Sequence, residues 1–342
     1  MVMSPSIFQS PPLPLPSLMI GGAVFSHHYN EDLDQVPAEA ILSQAIEAGA
    51  NSFDTSPYYG DSETVIGHAL HKLRTKHPRD SYILITKCGR KSFNDFDYSP
   101  TWIRHSILRS LERLRTGYLD VALLHDAEFV TADEFVEATC ALAQLRSEGL
   151  IRAFGLSGYT LSVLLSHVKT ARSRLGPDMT PEVLFSYCHY NLQNNTLAEY
   201  EARFREVGIK HIINGSPLSM GLLRKEPAPD WHPASVGLKT ACERASEYVE
   251  EMYHQRLADV ALRYSLGWKG TTCAGCSSLE ELETLLQTWK AVERRKQGGH
   301  SDEKDTKIFN DLRKVLVEGG QVAWQMPPVG FVRSGKEKNM NR

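Results

Sequence analysis

The sequence predicts an α/β protein, a (β/α)8 TIM barrel with extended loops and a C-terminal tail, and three observations carry that expectation. Short apolar runs without strict polar alternation suit strands buried on both faces, as in a parallel sheet. Amphipathic stretches with helix start signals lie between them. The polar residues that end successive runs recur steadily: 33 residues from Asp54 to Lys87, 38 to His125, 32 to Ser157 and 30 to Tyr187. A strand–helix unit of that length, repeated, is what an eightfold barrel requires.

The elements follow in order. Pro5, Pro11, Pro12, Pro14 and Pro16 crowd residues 1–17, which predicts a disordered Pro-rich arm, because proline is excluded from helix interiors and inner strands. Pro11 and Pro14 have PxxP spacing but no basic neighbour, so a peptide-ligand role is not expected. Leu18–Phe25 and Asn51–Asp54 are the first two expected strands. Ser81–Lys87, Leu119–His125, Ile151–Ser157, Val183–Tyr187, His211–Asn214 and Thr271–Gly275 complete the eight. Between them, Ser99 reads as an N-cap with Pro100 at the first helical position, before Ile103, Ile107, Leu111 and Leu114. Thr131 and Glu134 form a capping box ahead of Phe135, Val136, Leu142 and Leu145, and Gly149 closes that helix. Ser278 and Glu281 repeat the box before Leu282, Leu285 and Leu286. The barrel is assigned to residues 18–330 and a disordered tail to 331–342. A minimal barrel takes about 250 residues. The excess falls in the arm, in the 56 residues between Asn214 and Thr271, and beyond about residue 290. A doubly wound sheet would want an early GxGxxG, and Gly21-Gly22-Ala23 is not one.

Composition excludes several classes. Hydrophobic residues are 42% and charged residues 23% of the 342, a globular balance rather than a disordered one. No apolar run approaches the ~18–20 residues of a membrane span, so no membrane partner is expected. A net charge of -3, from 38 Lys+Arg against 41 Asp+Glu, offers no basic field for nucleic acid. Six scattered cysteines read as reduced intracellular thiols, and no signal peptide is visible, so the cytoplasm is the expected compartment. Cys273 and Cys276 have redox-motif spacing but straddle a strand end, and are read as structural thiols. Cys188-His189 lacks a second ligand pair, so no metal is expected.

In such a barrel the strand C-termini converge on one face. Asp54, Lys87 and His125 then meet there, with Tyr59 five residues past Asp54. Together they make an acid–base device. A free tyrosine has a pKa of about 10, too high for exchange near pH 7. A neighbouring ammonium would lower it, and two to three units of lowering equals roughly 3–4 kcal/mol. Asp54 would keep Lys87 oriented and charged, and a neutral His125 would orient a substrate oxygen.

Phe53-Asp54-Thr55-Ser56-Pro57-Tyr58-Tyr59-Gly60, then Ser62-Glu63, resembles the signature of the aldo-keto reductases. So do Thr86-Lys87, Leu124-His125, Phe154-Gly155-Leu156-Ser157 and Ser216-Pro217-Leu218. The resemblance covers roughly residues 18–326. Within the family, Asp54–Gly60, Leu124-His-Asp-Ala-Glu-Phe129 and Ser186-Tyr-Cys-His-Tyr-Asn-Leu192 are similar to the sugar-dehydrogenase branch, which holds fungal NAD-linked D-arabinose 1-dehydrogenases and plant L-galactose dehydrogenases. Asn191–Asn195 and the segment near Trp324 lean toward the fungal enzymes.

The resemblance implies a nicotinamide cofactor, NAD with NADP possible, lying over the barrel mouth. It implies Tyr59 as the proton-transfer residue with Asp54, Lys87 and His125 as partners. It further implies cofactor contacts at Gly22, Asp54, Ser157, Gly158, Tyr187, Ser216, Pro217, Leu218, Cys276, Ser277, Ser278 and Glu281. Ser157 would meet the carboxamide, Tyr187 would stack on the nicotinamide, and Ser216–Leu218 would approach the pyrophosphate. The turn at Cys276–Ser278 opens the last helix and would hold the adenosine end, where free N–H groups suit phosphate. Four positions depart from the family: Gly158 stands where many members have Asn, Tyr187 where many have Gln, Glu281 where NADP-preferring members carry a cation, and Leu285 where an adenine-contacting Asn is expected. Glu281 equally completes the Ser278 box. The expected activity is NAD-linked oxidation of an aldose at its anomeric carbon, on a small-molecule sugar substrate. A reductase of aldehydes or ketones using the same four residues is the alternative, and a non-catalytic nucleotide-binding subunit is the alternative of another class.

Overall fold

The computed structural model describes residues 13–27, 29–298 and 302–334. Eight strands form a closed barrel in chain order: β1 Leu18–Gly21, β2 Ser52–Asp54, β3 Ile83–Cys88, β4 Leu119–Leu124, β5 Ile151–Gly158, β6 Val183–Tyr187, β7 His211–Gly215 and β8 Thr271–Ala274. Every neighbouring pair is parallel, and β1 closes on β8 through Met19 opposite Cys273. Around them run α1 Ala38–Ala48, α2 Ser62–Leu73, α3 Pro100–Arg113, α4 Ala132–Ser147, α5 Leu161–Leu175, α6 Thr196–Glu206, α7 Val236–Tyr253, α8 Leu257–Leu266, α9 Leu279–Gly298 and α10 Glu303–Val317. The caps explain where several helices start. Ser99 Oγ accepts from Trp102 N–H with Pro100 at N1, and Thr131 with Glu134 makes both bonds of a capping box. Gly149, at φ 79°, lies just past the end of α4.

Two apolar layers result. Met19, Ile85, Val121, Leu123, Val183 and Ile213 fill the barrel interior, while the outward strand residues pack under the helices. A further cluster joins α7, α8 and α10 through Leu238, Val249, Leu257, Ile308 and Leu312. Among the described residues no helix is long and apolar enough to cross a membrane.

Three expectations are corrected. The first strand stops at Gly21, and Gly22–Phe25 forms a 3-10 turn. Position 22 of that turn needs glycine, because a Cβ there would lie 2.6 Å from the Asp54 carbonyl and 2.7 Å from Ile66. The described end of the Pro-rich arm is also structured. Leu13 and Leu15 pack against the interior cluster, and the Pro16 and Ser17 carbonyls accept from Thr271 Oγ1 and Thr272 N–H, both at 2.8 Å. Residues 1–12 of that arm, including Pro5, Pro11 and Pro12, lie outside the described residues. The expected tail from 331 is docked in its described part. Phe331 packs on Phe129 with ring centroids 4.8 Å apart, and Arg333 pairs with Glu134 at 2.8 Å. Residues 335–342 lie outside the described residues.

Candidate active site

β2, β3 and β4 end at one rim of the barrel, and each brings a polar side chain there. Asp54 ends β2, Lys87 is the penultimate residue of β3, and His125 directly follows β4. Tyr59 lies in the turn that joins β2 to α2. Its N–H donates to the Ser56 carbonyl at 3.0 Å, and its own carbonyl accepts from Ser62 N–H at 3.1 Å.

Lys87 Nζ donates to both Asp54 carboxylate oxygens at 2.7 Å and to the Thr55 carbonyl at 3.1 Å. It lies 4.7 Å from the centre of the Tyr59 ring and 4.9 Å from that of Phe185. Asp54 is 3% and Lys87 1% exposed. A buried ion pair needs good geometry and satisfied hydrogen-bonding groups, and three acceptors for three ammonium protons meet that demand. Burial alone would lower the Lys87 pKa, but the Asp54 carboxylate and the Tyr59 oxygen hold it above the ordinary ammonium value. Burial raises the Asp54 carboxyl against the pull of Lys87. The proton of the pair therefore stays on Lys87.

Tyr59 departs from expectation. Its hydroxyl stands above the ordinary tyrosine value, chiefly through burial; Lys87 lowers it, while Asp54 and Asp126 raise it further. Desolvating a phenolate outweighs one cation that a carboxylate already shares. The hydroxyl is thus protonated in the ligand-free protein. His125 is held well below its ordinary value by burial, and then by the Lys87 and Arg90 cations, so its ring is neutral at pH 7 as expected. Its Nδ1 lies 3.0 Å from Ser56 Oγ, which itself accepts Tyr58 N–H at 3.1 Å. With that lone pair engaged, the Ser56 hydroxyl proton can point to Nδ1, which places the imidazole proton on Nε2. Nε2 is 3.8 Å from Asp126 Oδ2, and a proton facing a carboxylate is the favoured arrangement. The Tyr59 and His125 rings meet edge-on with centroids 5.8 Å apart.

Sequence reasoning missed the layer beside His125. Arg90 pairs through Nη1 with Asp126, donates from Nη2 to Tyr58 Oη at 3.1 Å, and lies 3.8 Å from the Tyr58 ring centre. Glu128 is buried, its Oε1 accepting Tyr159 N–H at 2.7 Å. Burial, then Asp126, push its carboxyl up to about 8. A Cβ on residue 158 would lie 2.1 Å from Glu128 Oε2, so the Gly158 departure has a packing cause. The signal was present in the chain: Asp126 and Glu128 immediately follow a rim histidine, and Arg90 follows Lys87 by three residues.

The remaining expected positions line the same rim. Ser157 Oγ accepts Asp126 N–H at 3.4 Å and lies 3.4 Å from the Leu124 carbonyl. Tyr187 ends β6 beside Tyr159, ring centroids 5.4 Å apart. Ser216 has a left-handed φ of 56°, and the Pro217 carbonyl accepts from Ser265 Oγ at 3.2 Å. Leu218 packs on the α7–α8–α10 cluster. Cys276 is buried, and burial pushes its thiol up to about 12, far from a reactive thiolate. Ser277 Oγ accepts from Asn30 Nδ2 at 3.0 Å, and Ser277 N–H donates to Glu281 Oε2 at 2.7 Å. Glu281 N–H donates to Ser278 Oγ at 3.1 Å. Glu281 therefore caps one residue further out than a strict box, and takes an N–H at the start of α9. His189 Nδ1 lies 3.0 Å from Ser186 Oγ. Hydroxyls, an aromatic ring and a helix N-terminus along one rim are a donor set that suits a dinucleotide.

Known proteins resemble this chain in sequence and in fold. The profile of the Aldo/keto reductase family matches residues 17–304. The chain is 38% identical over 306 residues to D-arabinose 1-dehydrogenase of Saccharomyces cerevisiae, covering 87% of this chain and 90% of that one. It is 37% identical over 267 residues to L-galactose dehydrogenase of Arabidopsis thaliana, covering 77% and 79%. A solved aldo-keto reductase from Bacillus halodurans, in its holo form, superposes with a TM-score of 0.65 at 23% identity, covering 86% of this chain and 91% of that one; at that identity it speaks for the fold. A profile match across the whole barrel and a relative matched over nine-tenths of its length lead to one conclusion: the chain belongs to the aldo/keto reductase family.

Proposed function

We propose that this enzyme oxidises an aldose, D-arabinose or a related sugar, at the anomeric carbon to the lactone, using NAD. The observation that carries the reading is the buried constellation at the rim: the Tyr59 ring against an Asp54-anchored ammonium on one side and a neutral imidazole on the other. Similarity to two sugar dehydrogenases supports the substrate class.

A bound nicotinamide dinucleotide would supply the acceptor for the hydride that leaves the anomeric carbon. Ser157 and Tyr187 would hold its nicotinamide end, with Gly22, Asp54 and Gly158 close by. Ser216, Pro217 and Leu218 would flank the pyrophosphate, and Cys276, Ser277, Ser278 and Glu281 the adenosine end. His125 Nε2–H donates to the reacting oxygen and fixes its place. Tyr59 Oη takes the hydroxyl proton as the C–O bond gains double-bond character. Lys87 stabilises the phenolate that this step requires, and Asp54 with the Thr55 carbonyl keeps the ammonium oriented. Glu281 disfavours a 2′-phosphate, hence NAD over NADP.

One observation favours a second reading. Tyr59 is protonated in the ligand-free protein, the state that donates to a carbonyl, so reduction of an aldehyde or ketone uses the same groups in reverse. A screen of pentoses, hexoses and simple carbonyls with NAD(H) and NADP(H) tests the assignment. Lactone formation from an aldose with NAD is expected, and Tyr59→Phe should lower turnover by about 10²–10⁴-fold with cofactor binding retained. Carbonyl reduction without any sugar oxidation would move the assignment to the second reading. Near-normal turnover of Tyr59→Phe would remove Tyr59 from its role.

A further inference from the structure

We propose that Asp126, held in place by Arg90, reads the hydroxyl on the carbon next to the reacting one and makes this site selective for α-hydroxylated substrates. The inference rests on the oxidoreductase reading above. Its first support is position. Asp126 Oδ2 lies 3.8 Å from His125 Nε2. A reacting oxygen bound to that nitrogen brings the substituent of the adjacent carbon beside the Asp126 carboxylate.

The second support is the backbone. Asp126 has φ 53° and ψ 60°, a left-handed conformation uncommon outside glycine. Backbone outliers of this kind gather where a side chain must be aimed. The third is the hydrogen-bonding inventory. Arg90 bonds to Oδ2 and is itself pinned by Tyr58. Among the described residues no hydrogen bond reaches Oδ1, and Oδ1 is not among the sealed, partnerless polar atoms. An acceptor therefore remains at the rim. A carboxylate only accepts hydrogen bonds, so it welcomes a hydroxyl, gains nothing from a methylene and repels a carbonyl oxygen. Arg90 balances its charge, which lets a neutral polyol bind next to it.

The test compares D-arabinose with 2-deoxy-D-ribose, which is D-arabinose without the 2-hydroxyl. The wild type should favour D-arabinose in kcat/KM by about 10–100-fold, the size of a charge-assisted hydrogen bond. Asp126→Gly accepts the left-handed backbone and removes the carboxylate; it should bring that ratio close to one, and because the ratio cancels any change in Tyr59 or His125 felt equally by both sugars, it reads the 2-hydroxyl alone. Asp126→Asn keeps an acceptor and tolerates the same backbone, and should retain part of the preference. NAD affinity, read from protein fluorescence without sugar, should be unchanged in both. A wild-type ratio near one overturns the proposal without any variant, and so does an unchanged ratio in Asp126→Gly. The same variants are assayed reducing D-glyceraldehyde against 3-hydroxypropanal. Loss of the α-hydroxyl preference there, in a protein that oxidises no sugar, upholds Asp126 and overturns the sugar assignment. Sugar oxidation with an unmoved ratio does the reverse, and no turnover of either pair overturns both.

Discussion

Lys87 and Tyr59 oppose each other across a buried gap, and the sign of their coupling sets the pH behaviour. Burial raises the tyrosine, and the ammonium is the group that draws it back. Oxidation needs the phenolate, so the rate should climb with pH as the coupled Tyr59–Lys87 pair titrates; the midpoint belongs to the pair and not to one side chain. Lys87→Met removes the lowering cation. Its rising limb should move to higher pH, and turnover at neutral pH should fall by at least ~10²-fold. A pH–rate profile with an unmoved limb would count against Lys87 as the tuning charge. His125 titrates well below its ordinary value, so it stays neutral across that whole range and contributes no second limb.

The start of α9 carries two demands on one carboxylate. Glu281 takes the Ser277 N–H at 2.7 Å, and its own N–H bonds to Ser278 Oγ at 3.1 Å, which makes it part of the helix cap. The same carboxylate stands where a 2′-phosphate would lie if the dinucleotide binds as proposed. After screening at an exposed rim, the repulsion amounts to about 1–3 kcal/mol, or about 5–150-fold in favour of NAD. Glu281→Arg should therefore raise NADP use by about that factor and make it salt-sensitive. Glu281→Gln should recover only part, because its amide oxygen still caps while the charge is gone. Ratios of kcat/KM for the two cofactors decide the matter; if neither variant moves them, Glu281 is a cap alone.

The molecule divides its labour between the two ends of the barrel. The candidate site lies at the strand C-termini, where the chain beyond α10 also returns: Trp324 stacks on Tyr159 with centroids 4.8 Å apart, and Thr160 Oγ1 donates to the Met326 carbonyl at 2.6 Å. Stability gathers at the other end. Asp120, fully buried, accepts from Arg79 at 2.7 Å, Arg152 at 2.9 Å and Leu84 N–H at 2.9 Å. Asp120→Ala removes the carboxylate partner of two guanidinium groups and leaves the buried Leu84 N–H without its acceptor, while Arg79 keeps the Thr116 hydroxyl and the Tyr82 and Tyr118 carbonyls. Breaking such a pair costs about 3–5 kcal/mol, and the partial exposure of both arginines points to the lower figure. Urea unfolding should show a loss of about 3 kcal/mol, with kcat/KM unchanged in the folded fraction because the site lies at the opposite end. Activity lost in proportion to neither would separate the two ends less cleanly than proposed.

The sequence by itself determined the barrel and the four rim residues, because both are written in local terms. Apolar runs define strands, capping residues such as Ser99, Thr131 and Glu134 define helix starts, and a steady interval places Asp54, Lys87 and His125 at equivalent strand ends. The family signature added Tyr59 in its turn. What depends on burial and on distant partners was legible only in the folded molecule. Tyr59 is raised rather than lowered, because desolvation is a property of the packed site and not of the pair. Leu13, Leu15 and Arg333 dock because barrel interior and rim surfaces, assembled from far-apart segments, offer them a place. Asp126 and Arg90 meet only when β3 and β4 lie side by side, 36 residues apart in the chain, and Gly158 is explained by Glu128 filling the space its side chain would need. Local pattern carries the fold because hydrophobic periodicity is local; electrostatics and cavity shape are sums over the whole structure, and only the tertiary structure performs that sum.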